Sequence, residues 1–98
     1  MEALRFAWDT RKARANLRKH RVSFEEAQTA FFDEEGLLLD DPEHSHGEDR
    51  FILLGMSAAL RVLSVCHCVR ESGSLIRIIG ARRAVEAEQK QYWERLRR

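Results

Sequence analysis

Two stretches late in the chain, residues 61–70 and 75–81, alternate their side chains with the period of two that belongs to extended strands. In the first, Arg61, Leu63, Val65, His67 and Val69 fall on one face, opposite Val62, Ser64, Cys66, Cys68 and Arg70. In the second, strict alternation sets Leu75, Arg77, Ile79 and Ala81 against Ile76, Ile78, Gly80 and Arg82. Glu71-Ser72-Gly73 between them has the composition of a hairpin turn. Strands joined so tightly must be antiparallel neighbours, and a lone pair is unstable in water without further elements covering its apolar side.

The rest of the chain supplies those elements. Residues 4–8 alternate and predict a short strand. Asp9 suits an N-cap for a helix over 10–20, whose thin apolar stripe is Ala13 and Leu17, continued by His20. A tight turn at Arg21-Val22 leads into Ser23-Phe24-Glu25-Glu26, a capping box in which Glu26 is expected to reach back, opening a helix to about Phe32. Leu37, Leu38 and Leu39 read as a strand ended by Asp40-Asp41-Pro42, followed by a polar loop over 42–49, a strand over 50–56 and a turn at Ser57-Ala58-Ala59. From about Arg83 the pattern is helical, with Val85, Glu88 or Gln89, Tyr92 and Leu96 on the inner stripe. The order β-α-α-β-β-β-β-α predicts an α+β fold: a small antiparallel sheet with two N-terminal helices and a C-terminal helix packed on it. With 98 residues, one domain over 1–98 is expected.

The net charge of +1 conceals three blocks. Residues 1–24 hold seven Lys or Arg against two acids; residues 25–49 hold ten acids and no Lys or Arg; residues 50–98 hold ten bases against four acids. Basic ends brought together by the fold would hold a polyanion, and the acidic middle would suit a basic partner. No apolar run approaches the roughly 18 residues of a membrane span, and residues 1–5 lack the apolar stretch of a signal peptide. Cys66 and Cys68, two apart on one strand, cannot join without distorting it, so they read as reduced thiols of a cytoplasmic protein.

Arginine within apolar strands needs a partner, because an unpaired buried guanidinium is costly. Arg50, Arg61, Arg77 and Arg82 on neighbouring strands either form structural ion pairs or line a phosphate-binding cleft. RNA cleavage would use such a cluster: a base takes the proton of the attacking 2′-hydroxyl, cations hold the charge at phosphorus, and an acid protonates the leaving oxygen. His67 and Glu48 are candidate proton carriers, although His67 reads equally as a packing residue and Glu48 as a solvated loop residue. Lys12, Asn16 and Lys19 form a row on the first helix that suits backbone phosphates or a wet face. Phe6, Trp8, Tyr92 and Trp93 read as core or as stacking surfaces for bases. His44-Ser45-His46-Gly47-Glu48 supplies three possible metal ligands, yet no further Cys or His motif of ligand spacing accompanies it, so no metal and no cofactor are expected.

These residues taken in order resemble a known family. Phe6, Trp8-Asp9, Lys12, Asn16, Lys19-His20 and Val22-Ser23-Phe24-Glu25-Glu26-Ala27 are similar to the opening signature of the BrnT toxins. Asp41-Pro42-Glu43-His44-Ser45, Gly47-Glu48, Arg50, Gly55 and Ser57 are similar to the family's loop-and-strand motif. Arg61, Leu63, Val65, His67, Arg70, Ile76-Arg77-Ile78-Ile79, Ala81-Arg82, Glu88 and Tyr92 complete it. The resemblance implies a RelE-like ribonuclease toxin, neutralised by a BrnA-type antitoxin in an assembly of two toxins and two antitoxins, with DNA bound only through the antitoxin. It implies catalytic roles for Glu48, Arg50, His67, Arg77 and Arg82, and RNA contacts from Lys12, Lys19, His20 and Arg61. Two departures stand out. Arg21 occupies a turn position where the family usually has Gly, and Gly80 one where Ser is common.

Overall fold

Asp9 ends the first strand and starts the first helix in a single residue. Its carboxylate accepts the backbone N–H groups of Arg11 at 2.8 Å and Lys12 at 3.2 Å, satisfying donors that a helix start otherwise leaves open. The computed structural model describes residues 3–41 and 49–96, with β1 (Arg5–Ala7), α1 (Thr10–His20), α2 (Phe24–Ala30), β2 (Leu37–Asp40), β3 (Arg50–Met56), β4 (Val62–Arg70), β5 (Leu75–Arg83) and α3 (Glu86–Arg95). The element order is the expected one. No described helix is long and apolar enough to cross a membrane.

The sheet runs β1-β5-β4-β3-β2. Hairpin connections make β2 to β5 antiparallel, as expected, but β1 lies parallel to β5 with Ala7 opposite Arg77, so the sheet is mixed. A three-residue strand docking on a partner nearly seventy residues away carries no local signal of its direction.

Helices α1 and α2 cover one face of the sheet. Val22, Phe24, Ala27 and Ala30 pack there on Leu53, Leu63, Val65, Ile76, Ile78 and Ala81, with Phe6 and Trp8 at the margin. Gly55 permits the close approach of α2 to β3, since a Cβ there would lie 2.7 Å from the Ala30 carbonyl oxygen. A smaller cluster on the other face joins Tyr92 of α3 to Leu54 and Val62.

Two expectations about local chemistry change. Ser23 caps α2 by accepting the Glu26 N–H at 2.9 Å, but the Glu26 carboxylate turns outward to Arg61 and Ser57 instead of back to the cap. In β5 strict alternation fails at Ile79. Cys66 pairs with Gly80 while His67 pairs with Ile78, leaving Ile79 as the extra residue of a bulge. Beyond it the faces exchange, so Ala81 joins Ile76 and Ile78 under the helices, and Arg82 joins Arg77 on the opposite side.

The turn that closes α1 carries strain. Arg21 has φ 59° and ψ 31°, left-handed backbone that favours glycine. Among the described residues its exposed side chain forms no hydrogen bond, while its carbonyl accepts from Arg61 at 3.1 Å. Arg21→Gly is therefore expected to stabilise the fold by about 1 kcal/mol, read as a raised midpoint in urea unfolding with unchanged slope.

Candidate active site

Where β1 stops, a side chain takes over the edge of β5. Asn16 of α1 donates from Nδ2 to the Ala81 carbonyl at 2.8 Å and accepts the Ala81 N–H at 3.1 Å, reproducing the bonding of a neighbouring strand. The same amide donates to the Val22 carbonyl at 2.9 Å. Asn16 thus locks α1 along β5, a role its place in the Lys12–Asn16–Lys19 row did not reveal. One helical turn on, His20 stands at a cavity of about 180 Å³ that it shares with Ile52, Ser64, Cys66, Gly80 and Arg82.

The floor of this face is ordered by register. Arg50, Cys68 and Arg77 form one row across β3, β4 and β5. Ile52, Cys66 and Gly80 form the next row, and Leu54, Ser64 and Arg82 the one after. Neighbours within a row are about 5 Å apart, and the Arg77 and Arg82 rows are separated by roughly 13 Å along the strands. Arg50 Nε is buried with no hydrogen-bond partner, and among the described residues no carboxylate forms an ion pair with Arg50 or Arg77. Buried polar groups are otherwise satisfied almost without exception, so Arg50 Nε is an unmet donor on this face.

The other expected cations are differently placed. Arg82 is clamped by both oxygens of Glu88, at 2.8 and 3.0 Å; the pair holds the Glu88 carboxyl below its ordinary range and raises the guanidinium. Arg82 nevertheless faces the cavity with its side chain 40% exposed. Arg61 belongs elsewhere. It binds Glu26 through Nε at 3.0 Å and through Nη2, and its Nη2 also reaches the Arg21 carbonyl. It ties α2 to the start of β4 and does not join the arginine row, so the expected grouping of four arginines is reduced to Arg50, Arg77 and Arg82. Lys12 and Lys19 are exposed on α1. Glu48, His44 and His46 lie outside the described residues. Among those described, no group of three or more His, Cys, Asp or Glu is arranged to hold a metal.

His67 stands away from the arginines, on the helix-covered face. It is 1% exposed, with its ring edge-on to Phe31 at 4.8 Å, near Phe51 at 6.0 Å, and with Nδ1 3.1 Å from the Val65 carbonyl. Burial holds its pKa below the ordinary value, against the opposing effect of the Val65 carbonyl. The alternation that paired His67 with Leu63 and Val65 is correct; the expectation that it meets the arginines fails because they face the other way. Cys66, in the cavity, has its thiol pushed up to about 11, first by burial and then by Asp41, whose Oδ2 lies 3.7 Å from Sγ. It is a neutral thiol near physiological pH, unsuited to nucleophilic attack.

The model of the family described as "Ribonuclease toxin, BrnT, of type II toxin-antitoxin system" matches residues 8–88. The chain belongs to the BrnT family. Its fold is similar to the crystal structure of the Brucella abortus ribonuclease toxin BrnT, with a TM-score of 0.65 and 16% identity, over 86% of this chain and all of that one. No curated protein matches the chain. The family match takes in α1, the arginine row, the bulge and Glu88, and so contains the whole of the described cleft.

The core position of His67 has a measurable consequence. Its folded pKa is depressed, so at falling pH the unfolded chain takes up a proton that the native imidazole refuses. That contribution is intact above about pH 6.5 and is lost progressively below it. Glu26 and Glu88, also depressed, lose their contribution only below their ordinary value of 4.5. The melting temperature is therefore expected to fall between pH 6.5 and 5. His67→Met should flatten that slope, measured by calorimetry across the interval.

Proposed function

We propose that this BrnT-family chain is an endoribonuclease that cuts RNA by 2′-hydroxyl attack without a metal. Supporting this reading above all is the row Arg50–Cys68–Arg77, which holds two guanidinium groups and a buried, unpartnered N–H beside a cavity bearing His20. Arg50 and Arg77 bind the scissile phosphate and hold the charge that grows on its oxygens, supplying what a divalent cation would otherwise supply. The 2′-oxygen attacks phosphorus, the bond to the 5′-oxygen breaks, and a cyclic phosphate and a 5′-hydroxyl result.

Two protons move in that step. His20 replaces His67 as the imidazole available for one of them, and Glu48, two positions before Arg50 in the sequence, is the candidate for the other. Arg82 contacts the adjoining phosphate or the transition state once Glu88 yields, while Lys12 and Lys19 hold the RNA backbone beyond α1. Degrading RNA in the cytoplasm, the toxin arrests translation. A BrnA-type antitoxin neutralises it in an assembly of two copies of each, and DNA is reached only through that antitoxin.

RNA cleavage by the purified chain in excess EDTA tests the reading. Loss of an oxyanion-stabilising donor typically lowers rates about 10²–10³-fold, and Arg50→Ala and Arg77→Ala are expected to fall in that range. His20→Ala should lower the rate, whereas His67→Met should retain cleavage. Full activity in both Arg77→Ala and His20→Ala would remove this centre, and a requirement for added metal would remove the metal-free chemistry.

A second reading, a weakened enzyme kept as an antitoxin partner and co-repressor, draws on the bidentate Glu88 clamp on Arg82 and on Gly80. A Cβ at Gly80 would meet only Asn16 Oδ1, at 3.8 Å. Gly80→Ser should therefore keep its stability within about 0.5 kcal/mol. A gain in its cleavage rate would identify the wild-type chain as the attenuated form, and an unchanged rate would dismiss that reading.

A further inference from the structure

The opposite end of the sheet carries a feature that cleavage does not use. The Arg50 and Met56 rows of β3 are roughly 20 Å apart, and just beyond Met56 the β3–β4 turn presents Leu60, 79% exposed. Leu60 sits at φ 62°, left-handed backbone that favours glycine. Phe32, 65% exposed, faces the same groove from the C-terminal end of α2. The groove encloses about 440 Å³, floored by Thr29, Met56 and Ala58. A leucine in strained backbone and a phenylalanine, both largely in water, are poor choices for folding alone and good ones for binding.

The groove is rigid and acidic. Ala58 donates its N–H to Thr29 Oγ1 at 2.8 Å, and Met56 donates its own to Asp33 Oδ2 at 2.8 Å, so both walls are fixed before any partner arrives. Burial raises the Asp33 pKa, but donors from Met56, Tyr92 and Glu35 outweigh it and keep the carboxylate ionised. Exposed Glu34 and Glu35 follow Asp33, and exposed Glu25 opens the same helix that ends at Phe32. Residues 25–41 contain seven acids and no Lys or Arg. Arg61 is paired with Glu26, while Arg95 donates to the Glu35 carbonyl and keeps its charge near Asp33. Such a rim repels a phosphate backbone and attracts basic side chains.

We propose that this groove docks a basic, amphipathic segment of the cognate antitoxin, whose apolar side chains enter between Phe32 and Leu60 and whose Lys or Arg meet Asp33 and the exposed Glu34 and Glu35 that follow it. The proposal rests on the toxin–antitoxin reading and deepens it by separating the anchor for the partner from the cleft for RNA. The probe is the purified product of the antitoxin gene adjacent to this one, titrated onto the full chain by calorimetry.

Phe32→Glu/Leu60→Glu is expected to weaken that binding at least 100-fold, since interface anchors of this kind dominate affinity, while melting and RNA cleavage stay at wild-type levels. Leu60→Gly relieves the left-handed backbone, so it should be no less stable than wild type and yet bind at least tenfold more weakly. Glu34→Lys/Glu35→Lys should weaken binding and reduce its salt dependence. Wild-type affinity in the Phe32→Glu/Leu60→Glu variant would overturn the proposal. Loss of cleavage alongside loss of binding, in a variant that melts normally, would overturn it too, because the two surfaces would then be one. If the wild-type chain binds no product of the adjacent gene, the partner reading itself fails and the docking site falls with it.

Discussion

A single extra residue in β5 determines which chemistry this sheet can hold. If Ile79 were paired like its neighbours, the strand would alternate evenly and Arg77 and Arg82 would stand on opposite faces. Because it stands outside the ladder as a bulge, Ile76, Ile78 and Ala81 all reach the core under α1 and α2, and both arginines reach the open face. The bulge leaves a backbone stretch that an ordinary strand partner would not fit. Asn16 meets it there, bonding both backbone groups of Ala81 with one amide. That contact brings α1, and so His20, to the border of the arginine face. Core packing, cleft floor and cleft wall thus share one irregularity, in keeping with the enrichment of bulges beside functional sites.

The arginines divide by what already neutralises them. Arg61 is saturated by Glu26 and a backbone carbonyl, which makes it a brace between α2 and β4. Arg82 is held by Glu88, which also caps α3 by accepting the Val85 N–H at 2.9 Å. Freeing Arg82 for a phosphate would therefore disturb the helix start as well as an ion pair. Arg50 and Arg77 form no such ion pair among the described residues, although the Arg77 charge acts on the Asp9 carboxylate, and Arg50 Nε is buried without a hydrogen-bond partner. For that reason the proposed phosphate site centres on Arg50 and Arg77 rather than on Arg82.

Much of this architecture was legible in the residues. Asp9, Ser23, the hairpin compositions and the period of two in β3 to β5 mark elements through local chemistry, and they lie where that chemistry places them. The parallel docking of β1, the bulge and the Asn16 bridge were not legible, because each depends on residues distant in sequence meeting in space. The site suffered from the same limit. Alternation correctly grouped His67 with Leu63 and Val65, but only the bulge reveals that Arg77 and Arg82 face the other way. The Ser23–Glu26 signature was half right: the hydroxyl caps, while the carboxylate prefers a tertiary guanidinium to its own backbone. The BrnT resemblance named His20 and Arg61 together, and burial and pairing separate them.

The three charge blocks acquire a meaning once the chain is folded. Arg50, Arg77 and Arg82 share the open face of the sheet, whereas Asp33 lines the groove beside Leu60 with Glu34 and Glu35 next along the chain. A chain with a net charge of only +1 then carries charge of both signs on different surfaces. In the proposed reading RNA meets one of them and a basic partner the other. Neutral overall charge is in this sense a balance of two specialised surfaces.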